Sequence, residues 1–249
     1  MSRGKSGASG TEVSRQSQTA DVAFNGFPKE CFEFLEALER HNSREWFSRM
    51  REECAAHVYH PTESFVNTLG PALTHIFPRI VFDSRTNGSG SMFRLARDTR
   101  FTTDKSPYKT NVGLRFWLSS AERAAKRVRL YVHLDKRGVR VYGGEHCRMK
   151  PADLAALREV IAADKGNSLK GILGRLEKSG FTSDAERLTR VPRGYPPDHP
   201  NADLLRLKSL FMYSPVVTSS VAQTPALIDH CVAHATTLKP LNDWLGDLQ

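Results

Sequence analysis

The chain has 249 residues, of which 39% are hydrophobic and 25% are charged, so it is long enough to bury a full core and has the composition of a folded globular protein. No stretch approaches the ~20 consecutive apolar residues of a membrane helix, and no apolar run follows the basic residues of the N-terminus, which argues against a membrane span and a secretory signal. Four cysteines without paired spacing argue against a disulfide framework or a zinc ribbon and favour a cytoplasmic location: Cys31, Cys54, Cys147 and Cys231.

The positive charge of the chain is concentrated in its middle third. The whole chain carries a formal net charge of +9, whereas residues 79–150 contain 17 Lys/Arg and 6 Asp/Glu, a balance of +11. Such a concentration favours an anionic partner, which can be a nucleic acid, a phosphorylated metabolite or an acidic protein. The same charge also fits a surface that only keeps the protein soluble.

The N-terminal part of the chain predicts helices behind a disordered tail. Residues 1–23 are rich in Ser, Gly, Thr and Gln with little to bury, so one folded domain is expected over residues 24–249. The apolar spacing of residues 27–38 predicts a helix that ends at His41-Asn42. Asn42 suits the N-cap of a second helix, with Glu45 completing a capping box, and Pro61 suits the first turn of a third.

The middle of the chain changes to the alternation of period two that is typical of β-strands. It predicts strands over residues 91–97, 112–118, 128–134 and 139–142, and the loop from Asp135 to Gly138 predicts a hairpin between the last two. Helical periodicity returns over residues 152–163, 169–178, 202–212 and 225–238. This order predicts an α+β fold, in which a mostly antiparallel sheet of about four or more strands is flanked by N-terminal and C-terminal helices.

The predicted strands have two faces of different chemistry. One face is apolar and should form core, as at Val112, Leu114 and Val132. Cations interleaved with aromatic rings on the other face are similar to the stacking platforms that bind single-stranded nucleic acid. Alternatively, the arginine stems cover the aromatic rings of a solvated or helix-covered face. The residues of this second face are Arg115, Trp117, Arg129, Tyr131, His133, Arg140 and Tyr142.

The connection between the first two strands concentrates cations and hydrogen-bond donors. Arginine binds phosphate or carboxylate oxygens in pairs, lysine adds a mobile point charge, and Pro107 stiffens the run. Asp98 and Asp104 can orient the cations, hold a metal through oxygen or act as a general base, or they can only pair with the arginines beside them. The side chains predicted to bind an anionic ligand are Arg94, Arg97, Arg100, Lys105, Tyr108, Lys109, Asn111 and Arg115.

Three functions fit this run of residues. The first is recognition of a phosphate- or carboxylate-bearing ligand, with nucleic acid among the partners that the charge allows. The second is an enzyme acting on a phosphorylated or carboxylated small molecule, with Asp98 or Asp104 as base or metal ligand. The third is a protein-interaction domain in which the charges form a structural ion-pair network. No Walker loop, dinucleotide fingerprint, serine elbow or H-E-x-x-H motif is present, so the sequence predicts no particular cofactor.

Histidine pairs and one Cys-His neighbour are lesser candidates for a site. The pairs His57–His60 and His230–His234 have spacings that can bind zinc, but neither has an obvious acidic or cysteine partner at ligand spacing except Cys231, which points away from the His230–His234 face of its predicted helix. Cys147 follows His146, although adjacent side chains seldom reach each other productively. We therefore predict no metal site.

The run R-D-T-R-F-T-T-D-K-S-P-Y-K-T-N at residues 97–111 resembles the hallmark of a widespread family of bacterial and fungal proteins classed as a conserved domain of unknown function. Other stretches resemble the same family and extend the likeness to about residues 24–248: H-N-S-R-E-W-F at 41–47, Leu154 with Arg158 and Ile161, D-H-P at 198–200 ahead of Leu204-Leu205, and P-L-N at 240–242. The resemblance implies one cytoplasmic domain and no assigned activity. The sequence departs from the family at residues 144–147, which are more polar than the family's Gly-rich turn.

Overall fold

The computed structural model of the chain describes residues 23–100, 102–118, 127–145, 149–163 and 165–246. The predicted tail, residues 1–23, lies outside this part of the chain except for Ala23, and so does the pair His146-Cys147. Helices precede and follow a sheet whose strands all pair antiparallel. This arrangement confirms the predicted α+β fold.

The N-terminal helices lie close to their predicted positions, but a different residue caps the second one. Ser43 is the N-cap, because its side chain accepts a hydrogen bond from the backbone N–H of Trp46 at 3.1 Å. Asn42, the predicted cap, lies one residue too early and uses its side chain on Tyr108 instead. The helices are α1 (Lys29–Arg40), α2 (Arg44–Arg49), α3 (Arg51–Cys54) and α4 (His60–Thr74), with a π-helical turn at Ala55–Tyr59 joining the last two.

The strands of the described residues form one antiparallel sheet. The order of its first five strands is β1-β2-β3-β4-β5, and β6 pairs with the start of β4. The predicted hairpin is present: the turn Lys136-Arg137 joins β3 to β4, and Gly138 has a φ of 139°, a conformation that favours glycine. The strands are β1 (Ile80–Val81), β2 (Val112–Leu118), β3 (Arg127–Asp135), β4 (Gly138–Glu145), β5 (Leu210–Tyr213) and β6 (Val217–Thr218).

Two predicted elements were wrong. Residues 91–97 form no continuous strand, because the segment bridges first to Leu114 in β2 and then turns away to bridge to Tyr108. The helix predicted over residues 202–212 stops early, since α7 (Ala202–Leu205) is one turn long and Leu210 starts β5 against the end of β4. Residues 210–212 are buried. A short apolar run fits either element, and pairing with β4 decides in favour of a strand.

The helix α9 (Leu227–Gly246) covers the apolar face of the sheet by packing on β4, and the short helix α8 (Ser219–Ala222) also contacts β4. The helices α5 (Pro151–Ala162) and α6 (Lys165–Lys178) pack against each other, and α6 also packs against α9. A Cβ added at Gly143 of β4 would lie only 2.9 Å from Leu238 of α9, so glycine permits this close contact. Buried hydrophobic side chains form one cluster from Phe24 to Leu245, whereas a single domain over residues 24–249 stays a prediction. Within the described ranges, no helix has both the length and the apolar character needed to cross a membrane.

A β-bulge moves Arg129 away from the face on which the sequence places it. Phe116 pairs with Leu130 and Trp117 pairs with Val128, so Arg129 is an extra residue in β3. Its Nη1 donates to the main-chain oxygen of Asn242 in α9 at 3.0 Å, and only 9% of the residue is exposed. The predicted position of Arg129 on the basic face was therefore wrong, because simple alternation along a strand takes no account of a bulge.

Candidate functional site

The face of the sheet opposite α9 is partly exposed. Tyr131, His133 and Tyr142 are partly exposed along β3 and β4, whereas Val132 and Val141 on the other face are buried. Two aromatic side chains on this face are buried. Only 7% of Trp117 is exposed, and the Arg115 guanidinium lies 5.8 Å from its ring. Only 6% of Phe211 is exposed, and its ring lies 6.2 Å from that of Tyr142. We call the surface formed by the partly exposed residues the open sheet face.

Four aromatic side chains form a continuous row across the open sheet face. Tyr131, Tyr142 and Tyr213 are direct cross-strand partners on β3, β4 and β5. The ring centroids are 5.5 Å apart between Tyr131 and Tyr142, and 5.0 Å apart between Tyr142 and Tyr213. Phe93 extends the row beyond β2, with its ring 6.1 Å from that of Tyr131. We call Phe93, Tyr131, Tyr142 and Tyr213 the aromatic row.

The cation-rich run folds as an irregular hairpin that grows out of the sheet edge. The backbone N–H of Phe93 donates to Gly113 of β2 at 2.9 Å, which holds the start of the segment against the sheet. Further out, Lys109 donates to Leu95 and Arg97 donates to Pro107, both at 2.8 Å. We call residues 94–111 the cation hairpin, of which Phe101 lies outside the described residues.

The N-terminal helices anchor this hairpin at Tyr108. The side-chain amide of Asn42 donates to the main-chain oxygen of Tyr108 at 2.9 Å, and the main-chain N–H of Tyr108 donates back to Asn42 Oδ1 at 3.0 Å. The Tyr108 ring stacks on Phe47 with centroids 4.0 Å apart and planes 15° apart. Tyr108, a predicted ligand donor, is thus a structural anchor, and this contact joins two of the stretches that carry the family resemblance.

Local contacts engage the charges at the tip of the hairpin. Asp98 accepts from Arg100 Nη2 at 2.7 Å, and Asp104 pairs with Arg97. Hydrogen bonds from Arg100 lower the pKa of Asp98 to about 2, and those from Ser106 lower the pKa of Asp104, with Arg97 adding to the effect. A carboxylate that loses its proton so readily is a poor general base at neutral pH, which disfavours this role for both aspartates.

Lys105 also forms a hydrogen bond within the tip of the cation hairpin, because its Nζ donates to the main-chain oxygen of Thr99 at 2.9 Å. Of the predicted ligand-binding cations, Arg97, Arg100 and Lys105 are therefore held by the protein itself. Asn111 is partly exposed at the start of β2.

Three cations nearer the sheet have a different environment. Within the described part of the chain, Arg94, Lys109 and Arg115 form no ion pair with a carboxylate. Burial lowers the pKa of the Lys109 ammonium, and the nearby guanidinium groups of Arg97 and Arg94 lower it further. Arg115 donates to the main-chain oxygens of Gly90, Gly88 and Ser89, so it ties the preceding turn to β2 while keeping its charge. We call Arg94, Lys109 and Arg115 the basic cluster.

Phe93 connects the basic cluster to the aromatic row. Lys109 Nζ lies 5.4 Å and the Arg115 guanidinium lies 4.8 Å from the centre of the Phe93 ring, both within the range of cation–π attraction. Sequence reasoning missed Phe93 and Tyr213. Tyr213 directly follows a segment that was assigned to a helix over residues 202–212, so it was not placed on a strand. Phe93 directly precedes Arg94, the first residue of the cation-rich run, and this position is the signal that points to it.

The remaining candidates do not assemble into a site within the described residues. No group of three or more His, Cys, Asp or Glu side chains there could hold a metal ion, and the rings of His230 and His234 are 6.5 Å apart. Burial raises the pKa of three buried thiols, to about 12 for Cys31, about 11 for Cys54 and about 12 for Cys231. Such thiols stay protonated and unreactive at neutral pH.

Other stretches of the family resemblance make long-range structural contacts. Arg158 Nε donates to the main-chain oxygen of Leu205 at 3.0 Å, and the N–H of Gly144 donates to Asn242 Oδ1 at 2.9 Å. No curated protein and no solved structure matches the chain. Residues 30–244 match a protein family described as "Conserved hypothetical protein (DUF2461)". The chain belongs to this family.

Proposed function

We propose that the protein recognises a ligand bearing phosphate or carboxylate groups, and that the basic cluster binds the anion. The observation that supports this proposal is the environment of Lys109, a half-buried ammonium placed near two guanidinium groups and without a carboxylate partner among the described residues. Like charges held together in this way raise the free energy of the empty protein. A bound anion would remove that cost.

The division of the cations into two groups also supports a binding role. A purely structural ion-pair network would neutralise all of the hairpin's charges, but the pairs Arg97–Asp104 and Arg100–Asp98 occupy only its tip. Lys109 stands outside these pairs, with its Nζ 5.4 Å from the Phe93 ring, and Arg94 forms no ion pair within the described residues, although its charge acts on both Lys109 and Asp98. Arg97 and Arg100 then hold the shape of the hairpin, while Arg94, Lys109 and Arg115 present the charge to a ligand.

A thermal-shift screen tests this function. Inorganic phosphate, triphosphate, sugar phosphates and dicarboxylates are added at fixed ionic strength to the parent protein, to Arg94→Ala and to Lys109→Met. An anion at ~100 times its dissociation constant stabilises a fold by about 2.7 kcal/mol, which in a domain of this size raises the melting temperature by roughly 5–11 °C. Both substitutions are expected to abolish the shift.

Lys208→Ala is the matched control. This exposed lysine pairs with Glu186 at 2.8 Å and precedes β5, at the other edge of the sheet from the cation hairpin. Its removal lowers the net charge by the same amount but should leave the shift intact. An equal loss of the shift in Lys208→Ala would indicate a diffuse charge effect, and the absence of any shift across the screen would contradict the proposed function.

A further inference from the structure

We infer that the ligand is a single-stranded nucleic acid, whose phosphates contact the basic cluster and whose bases stack along the aromatic row. This inference rests on the proposed function, since it names the class of ligand for the same cluster. Bases and phosphates require different surfaces, one aromatic and one cationic. The two surfaces lie side by side here, because Phe93 contacts both Lys109 and Tyr131.

The aromatic row places four rings on neighbouring segments of the sheet. It crosses neighbouring strands in steps of 5.0–6.1 Å between ring centroids. Tyr131 and Tyr142 meet edge to face at 71°, so only one ring of that pair can present its face to the same base, whereas Tyr142 and Tyr213 are tilted by 36°. Sheets that bind RNA through surface aromatics stack about two or three bases, and the row offers four rings, with Lys109 and Arg115 lying over Phe93 and Arg140 lying over Tyr213.

The charges on this surface favour a polyanion over a neutral aromatic ligand. The basic cluster lies at the Phe93 end, and the Arg140 guanidinium lies 5.7 Å from the Tyr213 ring at the other end. The acidic groups that act on Tyr142 are Asp184 and Asp135, and Asp135 is itself bound by Arg137 at 2.6 Å. Cations thus flank the row at both ends, as expected for a chain of phosphates that runs past stacked bases.

Exposed bases also distinguish this ligand from double-stranded nucleic acid. Bases stacked inside a duplex cannot lie on protein rings, whereas an unpaired strand can splay its bases onto them. Because stacking depends on the π-face that every base has, little sequence preference is expected. The salt dependence follows from the number of cations: with Arg94, Lys109, Arg115 and Arg140 each neutralising one phosphate, log K against log salt should have a slope no steeper than about −3.

The test measures fluorescence anisotropy of labelled 12-nucleotide probes: oligo-dT, oligo-U, an abasic strand with the same number of phosphates, and a duplex. The full chain is compared with Tyr142→Leu, which removes a π-face, and Tyr142→Phe, which keeps it. Loss of one stacked base is expected to weaken oligo-dT binding roughly 5- to 150-fold in Tyr142→Leu. Tyr142→Phe should bind nearly as the parent does, and neither variant should change the affinity for the abasic strand.

Lys109→Met should instead weaken all the single-stranded probes and flatten the salt slope by about 0.7, since one phosphate contact is lost. Lys208→Ala again serves as the charge-matched control. If Tyr142→Leu melts well below the parent, the pair Tyr213→Leu and Tyr213→Phe replaces it, because Tyr213 lies on a different strand.

Equal affinity for the abasic strand and oligo-dT would overturn the inference, and so would equal affinity for the duplex. If triphosphate stabilises the protein through Lys109 while no oligonucleotide binds, the inference fails and the proposed anion site stands. If neither phosphates nor oligonucleotides bind, both fail. Tighter binding of oligo-dT than of the abasic strand, lost in the leucine variants and kept in the phenylalanine variants, would support the inference.

Discussion

Replacing Asn42 by alanine should loosen the cation hairpin from a distance of 66 residues along the chain. The amide of Asn42 makes two hydrogen bonds to the main chain of Tyr108, at 2.9 and 3.0 Å, in a partly buried position. Alanine would leave a main-chain N–H and a C=O without partners, and each such group costs about 1–3 kcal/mol. Because the position is only partly buried, water can partly satisfy these groups, and we expect the lower part of their summed cost, roughly 2–4 kcal/mol in the free energy of unfolding, equivalent to about 4–16 °C in the melting temperature.

The effect should be local as well as global. Denaturant unfolding measures the loss of stability, and native-state hydrogen exchange reports on the hairpin itself, through the amides of Lys109 and Arg97 that donate across it. Both amides should exchange faster in Asn42→Ala than expected from the global change alone. Asn67→Ala is the control, because Asn67 is partly exposed on α4 and its replacement should change stability by no more than about 0.5 kcal/mol. An Asn42→Ala protein as stable as this control, with unchanged exchange at both amides, would refute the anchoring role.

Three further outcomes follow from the structure. The pKa of Lys109 is lowered from 10.5 on folding, so its charge costs stability at pH 7, and this cost fades as the pH rises through the folded-state pKa. Lys109→Met should therefore unfold at a higher denaturant concentration than the parent at pH 7, by a margin that narrows as the pH approaches 10.5, and a less stable variant at pH 7 would contradict this sign. Gly138→Ala should lower the free energy of unfolding by about 1–3 kcal/mol or more, because φ at this position is 139° and the added Cβ would lie 2.0 Å from the main-chain oxygen of Val217. Chemical denaturation measures this loss, and a variant as stable as the parent would show that the turn can relax. Brief alkylation at pH 8, measured by mass spectrometry, should modify the buried thiols of Cys31, Cys54 and Cys231 only after denaturation. Rapid labelling of these thiols in the native protein would show that their burial is incomplete.

Local patterns in the sequence determined much of the fold. Helical periodicity predicted α1, α5, α6 and α9 to within a few residues at most ends, because one apolar stripe per helix must face the core. Alternation predicted β2 and much of β3 and β4, and the glycine at the end of the loop predicted the hairpin between the last two strands. The cation-rich run and the family resemblance also lie in consecutive residues, which is why both were visible without a structure.

Contacts between distant residues were decided only by the tertiary structure. From the local sequence, the side chain of Asn42 was expected to cap a helix. In the structure it instead forms hydrogen bonds with Tyr108, 66 residues away in the chain. The alternation of β3 placed Arg129 on the basic face of the sheet. A β-bulge in the structure instead directs its side chain towards Asn242, 113 residues further along the chain. The same holds for the candidate site. Which cations are paired depends on how the hairpin folds back on itself, and Phe93 and Tyr213 join one aromatic row only because strand pairing brings them to the same face. Sequence patterns report what a residue can do locally, whereas its final partner is set by competition among all the groups that the folded chain brings together.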